Sequence, residues 1–290
     1  MEITIGCPIV TPFDGDGRLD TDALADLVDR LVSEGIDLLV PCGTTGEVTA
    51  LTDSERRSVI ETTVSAAADR ATVMAGVGGT AVATVRERIR HAADAGADSA
   101  LVVAPYFGGQ PAPEGNERFF AAVADDIDLP LFLYNIPPAT GQQIAPETVD
   151  SLARRGLYEG IKDSSGDLTY LDELIDRTPA AFDVFQGWDA QYVPALAMGT
   201  DGAINAVTHL APERFAAAAA AVASGEMAAA RGHQFDGIDP AAHACLDHGF
   251  APAVKAVLAE RGVLATDTVR PPLVGLDEKD RRQLIEALDG

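Results

Sequence analysis

The chain holds three lysines in 290 residues: Lys162, Lys255 and Lys279. Lys162 stands in the run Gly160-Ile161-Lys162-Asp163-Ser164-Ser165-Gly166, at the end of a segment that reads as a buried strand. The other two fall in helical patterns, Lys279 inside the charged run Asp277-Glu278-Lys279-Asp280-Arg281-Arg282. The remaining basic residues are arginine, whose guanidinium does not give up its proton, whereas an ammonium does. An amine kept at a strand end therefore predicts a nucleophile that forms a Schiff base with a carbonyl substrate. An ordinary lysine, with a pKa of about 10.4, is almost all ammonium at neutral pH, so burial has to free the amine. The alternative is a lysine tied to a nearby carboxylate.

Other groups point the same way. Gly43-Thr44-Thr45-Gly46 places two hydroxyls on a turn between a strand and a helix, where a carboxylate or phosphate is readily bound. Tyr134 closes another strand and is placed to move protons. Gly76-Val77-Gly78-Gly79-Thr80 is short of a dinucleotide fingerprint. His243, Cys245 and His248 suggest a metal site, but the two histidines are five residues apart and do not share a helix face. No metal ligand and no cofactor is expected.

Positioning these residues requires a repeated scaffold. Eight β-rich runs, at 3–10, 37–40, 72–77, 99–104, 131–134, 158–162, 183–186 and 202–205, alternate with helical patterns at 20–33, 53–68, 81–95, 115–126, 146–154, 168–177 and 190–198. Several of the runs are continuously apolar, as parallel strands covered on both faces are. Thr52-Asp53-Ser54-Glu55 is a capping box, and Gly35 and Gly96 close their helices. The pattern predicts a (β/α)8 barrel over residues 1–210, with chemistry at the C-terminal strand ends. Ala-rich helical segments over 211–290 are predicted as an extension packed on the barrel. Alternation at Lys162 turns Ile161 and Asp163 to the opposite side.

Bulk composition excludes several classes. The 45 acidic and 21 basic residues leave a net charge of −24. Such a surface repels nucleic acid and anionic lipid. The charge is spread over amphipathic segments of a chain that is 47% hydrophobic, which fits a folded protein in concentrated salt, a halophilic cytoplasm. No apolar run is long enough for a membrane span. The N-terminus reads as a first strand rather than a signal peptide. Three distant cysteines fit a reducing compartment.

Taken together, Gly43-Thr44-Thr45-Gly46-Glu47, Tyr134-Asn135-Ile136-Pro137 and Gly160-Ile161-Lys162-Asp163 resemble the dihydrodipicolinate synthase/N-acetylneuraminate lyase family of class I aldolases. The resemblance runs through almost the whole chain. It implies a (β/α)8 barrel, a small 2-keto acid substrate such as pyruvate, and a homotetramer. It implies Lys162 as the imine lysine, Tyr134 as the proton relay, and Thr44 and Thr45 as the pair that holds the carboxylate and links to the tyrosine. Thr45 is thereby expected among the catalytic groups, and Gly187 and Ile204 in the lining of the imine pocket. Two departures stand out. Phe107 replaces a second tyrosine, and Pro137-Pro138-Ala139-Thr140-Gly141 lacks the arginine that dihydrodipicolinate synthases use for their second substrate. A guanidinium lost from a carboxylate site is not a conservative change. The stretch 134–141 and Arg270-Pro271-Pro272 look more like the 2-keto-3-deoxygluconate aldolases of archaea, with no basic residue at 106–110 to hold a phosphate. The expectation is cleavage of 2-keto-3-deoxygluconate or its 6-phosphate to pyruvate and an aldehyde. The alternatives are a 2-keto-3-deoxy sugar-acid dehydratase, a 4-hydroxy-tetrahydrodipicolinate synthase, or a keto-acid sensor without catalysis.

Overall fold

The computed structural model describes residues 3–107 and 112–289. Residues 108–110 of the stretch read above for basic groups lie outside the described residues. Eight strands, β1 (Thr4–Cys7), β2 (Leu38–Leu39), β3 (Thr72–Gly76), β4 (Ser99–Val103), β5 (Leu131–Asn135), β6 (Gly160–Asp163), β7 (Asp183–Gln186) and β8 (Gly202–Ile204), close into one barrel in chain order. Every neighbouring pair is parallel, and β1 returns to β8.

The first two strands are shorter than their apolar runs because Pro8 and Pro41 follow directly or one residue later and have no N–H to continue a ladder. Around the barrel run α1 (Thr21–Ser33), α2 (Asp53–Ala67), α3 (Val82–Asp94), α4 (Pro113–Ala124), α5 (Pro137–Thr140), α6 (Pro146–Arg154), α7 (Leu168–Arg177) and α8 (Tyr192–Met198). The α2 start has both halves of the capping box: Thr52 Oγ1 accepts the Glu55 N–H and Glu55 accepts the Thr52 N–H. Gly35 and Gly96, at φ +87° and +89°, stand just past the ends of α1 and α3. The short α5 was not foreseen. Pro137-Pro138 reads as a loop, but a proline in the first helical turn has its φ preset and no N–H to lose.

After β8 the chain is helical: α9 (Pro212–Ala223), α10 (Met227–His233), α11 (Asp239–His248), α12 (Phe250–Glu260) and α13 (Glu278–Asp289). A π turn at Gln234–Ile238 joins α10 to α11, so the helix runs on through Pro240 in the first turn of α11. In α12 every residue from Ala251 to Leu258 is buried, Lys255 included, whereas Lys279 on α13 is exposed.

Strand alternation sorts the side chains. Leu39, Ala75, Val102, Leu133, Ile161 and Val184 face the helices and join the large outer core. Leu38, Val40, Met74, Leu101, Phe132, Tyr134, Phe185 and Ile204 fill the barrel interior. Lys162 pairs in register with Tyr134 on one side and Phe185 on the other, which places it in that inner set. The layer beneath is made tight by Gly160: a Cβ there would come within 2.5 Å of the Phe132 ring and 2.6 Å of the Asp183 carbonyl oxygen. Gly160→Ala is expected to destabilise the fold by about 2 kcal/mol through overpacking, read as a lowered urea midpoint; an unchanged midpoint would contradict this packing.

Candidate active site

The inner layer ends in a cavity of about 360 Å³ at the C-terminal mouth of the barrel. Thr44, Thr45, Tyr134, Lys162, Gly187 and Ile204, all named from sequence, line it together. Lys162 is 5% exposed and Tyr134 is 6% exposed, so both are withdrawn from bulk water. The Lys162 ammonium nitrogen lies 4.7 Å from the centroid of the Tyr134 ring. Among the described residues Lys162 belongs to none of the ion pairs, in contrast to Lys255, which is paired with Glu47. The salt-bridge alternative for Lys162 is thus not what the structure contains.

The neighbouring carboxylate is turned away by the strand itself. Asp163 faces outward, where Asn135 Nδ2 donates to it at 2.7 Å and the Ser165 hydroxyl at 2.8 Å. Burial pushes the Asp163 carboxyl above its ordinary range, while these donors pull it back. Asn135 Oδ1 in turn accepts the Ile144 N–H at 3.0 Å. Since Asn135 and Asp163 are register partners, this latch fixes β5 against β6 one step beyond Tyr134 and Lys162. Gln186 and Asn205 form a similar latch between β7 and β8 at 3.2 Å.

Thr44 and Thr45 sit on the turn after β2. The Gly46 and Glu47 N–H groups bond to the Gly43 and Thr44 carbonyls, so neither faces the cavity as a free donor. Thr44 Oγ1 lies 3.4 Å from the Tyr134 hydroxyl, so the hydroxyl placed to exchange a proton with the tyrosine is that of Thr44. Thr45, expected among the catalytic groups, is buried and lines the cavity. Gly187 leaves no room for a side chain: a Cβ there would run into the Ser164 hydroxyl and lie 2.8 Å from Lys162 Cε and 3.1 Å from the Asp163 carbonyl oxygen.

Two groups in this cavity were not singled out from sequence. Ser164 is buried beside Lys162 and donates its hydroxyl to the Gly187 carbonyl at 3.3 Å. Asp189 is buried in the wall, accepts the Val207 N–H at 2.8 Å, and is pushed up to about 6, chiefly by burial. One acid in a chain of 45 gives no local signal; only its place one residue beyond Gly187-Trp188 could have marked it. Leu246 of α11, Phe250 of α12 and Leu273 of the segment between α12 and α13 supply a roof. Phe107, which replaces the expected second tyrosine, is 88% exposed.

Among the described residues no three His, Cys, Asp or Glu side chains converge as metal ligands do. Cys245 is fully buried, and burial pushes its thiol, like those of Cys7 and Cys42, up to about 12. Among the described residues no helix is long and apolar enough to cross a membrane.

Over residues 3–290 the chain matches the model of the dihydrodipicolinate synthetase family. It is 38% identical over 276 residues to a 4-hydroxy-tetrahydrodipicolinate synthase of Syntrophus aciditrophicus, covering 95% of this chain and 94% of that protein. The structure superposes on dihydrodipicolinate synthase of Aquifex aeolicus with a TM-score of 0.94 and 30% identity, over 100% and 97% of the two chains. It superposes on YagE of E. coli K12, a prophage protein of the dihydrodipicolinic acid synthase family crystallised with pyruvate, with a TM-score of 0.93 and 32% identity, over 99% and 97%.

Two outcomes follow from this geometry. Gly187→Ala is expected to abolish borohydride-dependent attachment of pyruvate at Lys162 while leaving circular dichroism unchanged; attachment at the wild-type level would refute the contact. The second concerns acid. The folded Asp189 carboxyl titrates near 6 against 3.8 unfolded, so its burial costs about 3 kcal/mol above pH 6, a cost relieved as pH falls. His209, buried and lowered to about 4 from 6.5, acts oppositely: stability is lost as pH falls from 6.5 towards 4. The two slopes offset each other between pH 6 and 4. Asp189→Asn removes one of them, so the variant should lose about 2 kcal/mol more than wild type on going from pH 6 to 4 in denaturant titrations, and parallel curves would refute the assignment.

Proposed function

Because the chain belongs to the dihydrodipicolinate synthetase family, whose members are Schiff-base-forming lyases, we propose that it is a class I aldolase that cleaves a 2-keto-3-deoxy sugar acid, 2-keto-3-deoxygluconate or its 6-phosphate, to pyruvate and an aldehyde. The supporting observation is the charge inventory of the cavity. Among the described residues Lys162 is the one Lys or Arg on its wall, and Pro138 and Ala139 stand where a guanidinium would be needed for a second carboxylate. A substrate whose far end is hydroxylated and neutral suits such a wall, with the Asp189 carboxylate as acceptor for its hydroxyls. The same inventory favours an unphosphorylated substrate.

In this reading the free amine of Lys162 attacks C2 of the keto acid, and loss of water leaves a protonated imine. Tyr134 takes the proton of the C4 hydroxyl, with Thr44 as its neighbour in the relay. The C3–C4 bonding pair moves into the iminium, the aldehyde leaves, and an enamine remains. Protonation at C3 and attack of water return pyruvate and the amine. Thr45 and Thr44 hold the carboxylate throughout. No cofactor enters these steps.

A second reading is favoured by a specific finding. The curated relatives bear the name 4-hydroxy-tetrahydrodipicolinate synthase. Their product is a dicarboxylate, and the absent arginine counts against it here. A dehydratase shares the imine and differs only in the bond that breaks. A homotetramer is supported by the exposed Tyr106 and Phe107 beside the site and by exposed Met227 and Phe235. A halophilic cytoplasm is supported by the net charge of −24 and the three unpaired, buried thiols.

Products decide among these readings. The purified chain in high salt is expected to release pyruvate and glyceraldehyde from 2-keto-3-deoxygluconate, with Lys162→Ala lowering the rate by at least about 10³-fold. Condensation of pyruvate with aspartate 4-semialdehyde as the faster reaction would establish the synthase instead, and a keto-semialdehyde product the dehydratase.

A further inference from the structure

The loop that carries Thr44 and Thr45 is bounded at both ends by left-handed residues that are not glycine: Cys42 at φ +58° and Glu47 at φ +54°. Side chains with a Cβ adopt this region at a cost, and hold it only where their surroundings fix it. At Glu47 the surroundings come from the other end of the chain. Its carboxylate is 3% exposed. Oε1 is bonded to the Lys255 ammonium, and Oε2 accepts the Arg270 N–H at 2.9 Å. Lys255 has no exposed surface; it also donates to the Thr268 carbonyl at 2.9 Å and lies 4.2 Å from the centroid of the Phe13 ring. The Arg270 guanidinium lies 4.2 Å from the same ring, and bonds to Glu55, the Ala50 carbonyl and the Gly17 carbonyl. The loop is also held from the segment that follows β1, where the Thr11 hydroxyl donates to the Gly46 carbonyl at 2.7 Å.

A fully buried ion pair is a poor source of stability, because desolvation offsets the attraction. Its geometry is what distinguishes it: it joins α12 and the segment at 268–270 to the residue two positions after Thr45. We infer that Lys255 and Glu47 are positioning residues for the keto-acid site, fixing the left-handed turn so that the Thr44 and Thr45 hydroxyls meet the substrate carboxylate and Tyr134. The C-terminal helices are then part of the catalytic unit. This role rests on the pyruvate imine of the proposed function, and on nothing about the second substrate.

The test is a pyruvate titration of borohydride trapping at Lys162, followed by intact mass, in the full chain. The double variant Glu47→Gln/Lys255→Met removes both charges and keeps the volumes, so its melting temperature should stay within a few degrees of wild type. Its half-saturating pyruvate concentration should rise about tenfold or more, as expected for losing a charge-assisted hydrogen bond to the carboxylate. The fraction trapped at saturating pyruvate should be unchanged, because Lys162 is untouched. Should the double variant fail to fold, Glu47→Asp, which tolerates the left-handed turn and keeps the charge but withdraws it by one methylene, is expected to give the same rise. A lower melting temperature with unchanged half-saturation in either folded variant would reduce the pair to a structural role and overturn the inference. Wild-type protein that traps no pyruvate would overturn both this role and the function on which it rests.

Discussion

An amine inside a closed barrel stays reactive only if no carboxylate closes on it as an ion pair. At about 4 Å and an effective dielectric constant near 20, one carboxylate would hold an ammonium by about 4 kcal/mol, enough to silence it as a nucleophile. Three acids lie close to the mouth, and each has another partner. Asp163 is turned outward to Asn135 and Ser165, Glu47 is bonded to Lys255 and the Arg270 N–H, and Asp189 accepts the Val207 N–H. The arrangement around Lys162 is therefore as much a distribution of acids as a placement of one base. In a chain with 45 acidic residues this is a strong demand on the fold.

The period-two alternation of the strands meets most of it. Ile161, Lys162 and Asp163 face out, in and out by geometry alone, which puts the lysine among Tyr134 and Phe185 and its acidic neighbour among the helices. The outward latches at the strand ends then hold the inward layer in place. Asn135 with Asp163 and Gln186 with Asn205 bridge adjacent strands where the backbone ladder runs out. Polar groups buried outside the cavity thus serve those inside it.

What was legible in the sequence was local. Apolar runs at even spacing gave the eight strands, Thr52 and Glu55 gave a helix start, and the rarity of lysine marked Lys162. Proline context was ambiguous: Pro8 and Pro41 cut strands short, whereas Pro137 opened a helix and Pro240 failed to end one. What stayed hidden was long-range. Glu47 and Lys255 are separated by 208 positions, and Lys255 read as one more helical residue although it is among the most buried side chains of the chain. Asp189 was hidden by the abundance of its own type. The choice between Thr44 and Thr45 as the neighbour of Tyr134 needed coordinates, since the two are adjacent and identical.

The scarcity of lysine also has a practical side. With Lys162 and Lys255 sequestered and Lys279 exposed on α13, amine-directed reagents meet a single side-chain target besides the α-amine. A dye, a biotin or a resin coupled through Lys279 would attach every molecule in one orientation, on a helix that contributes nothing to the lining of the cavity.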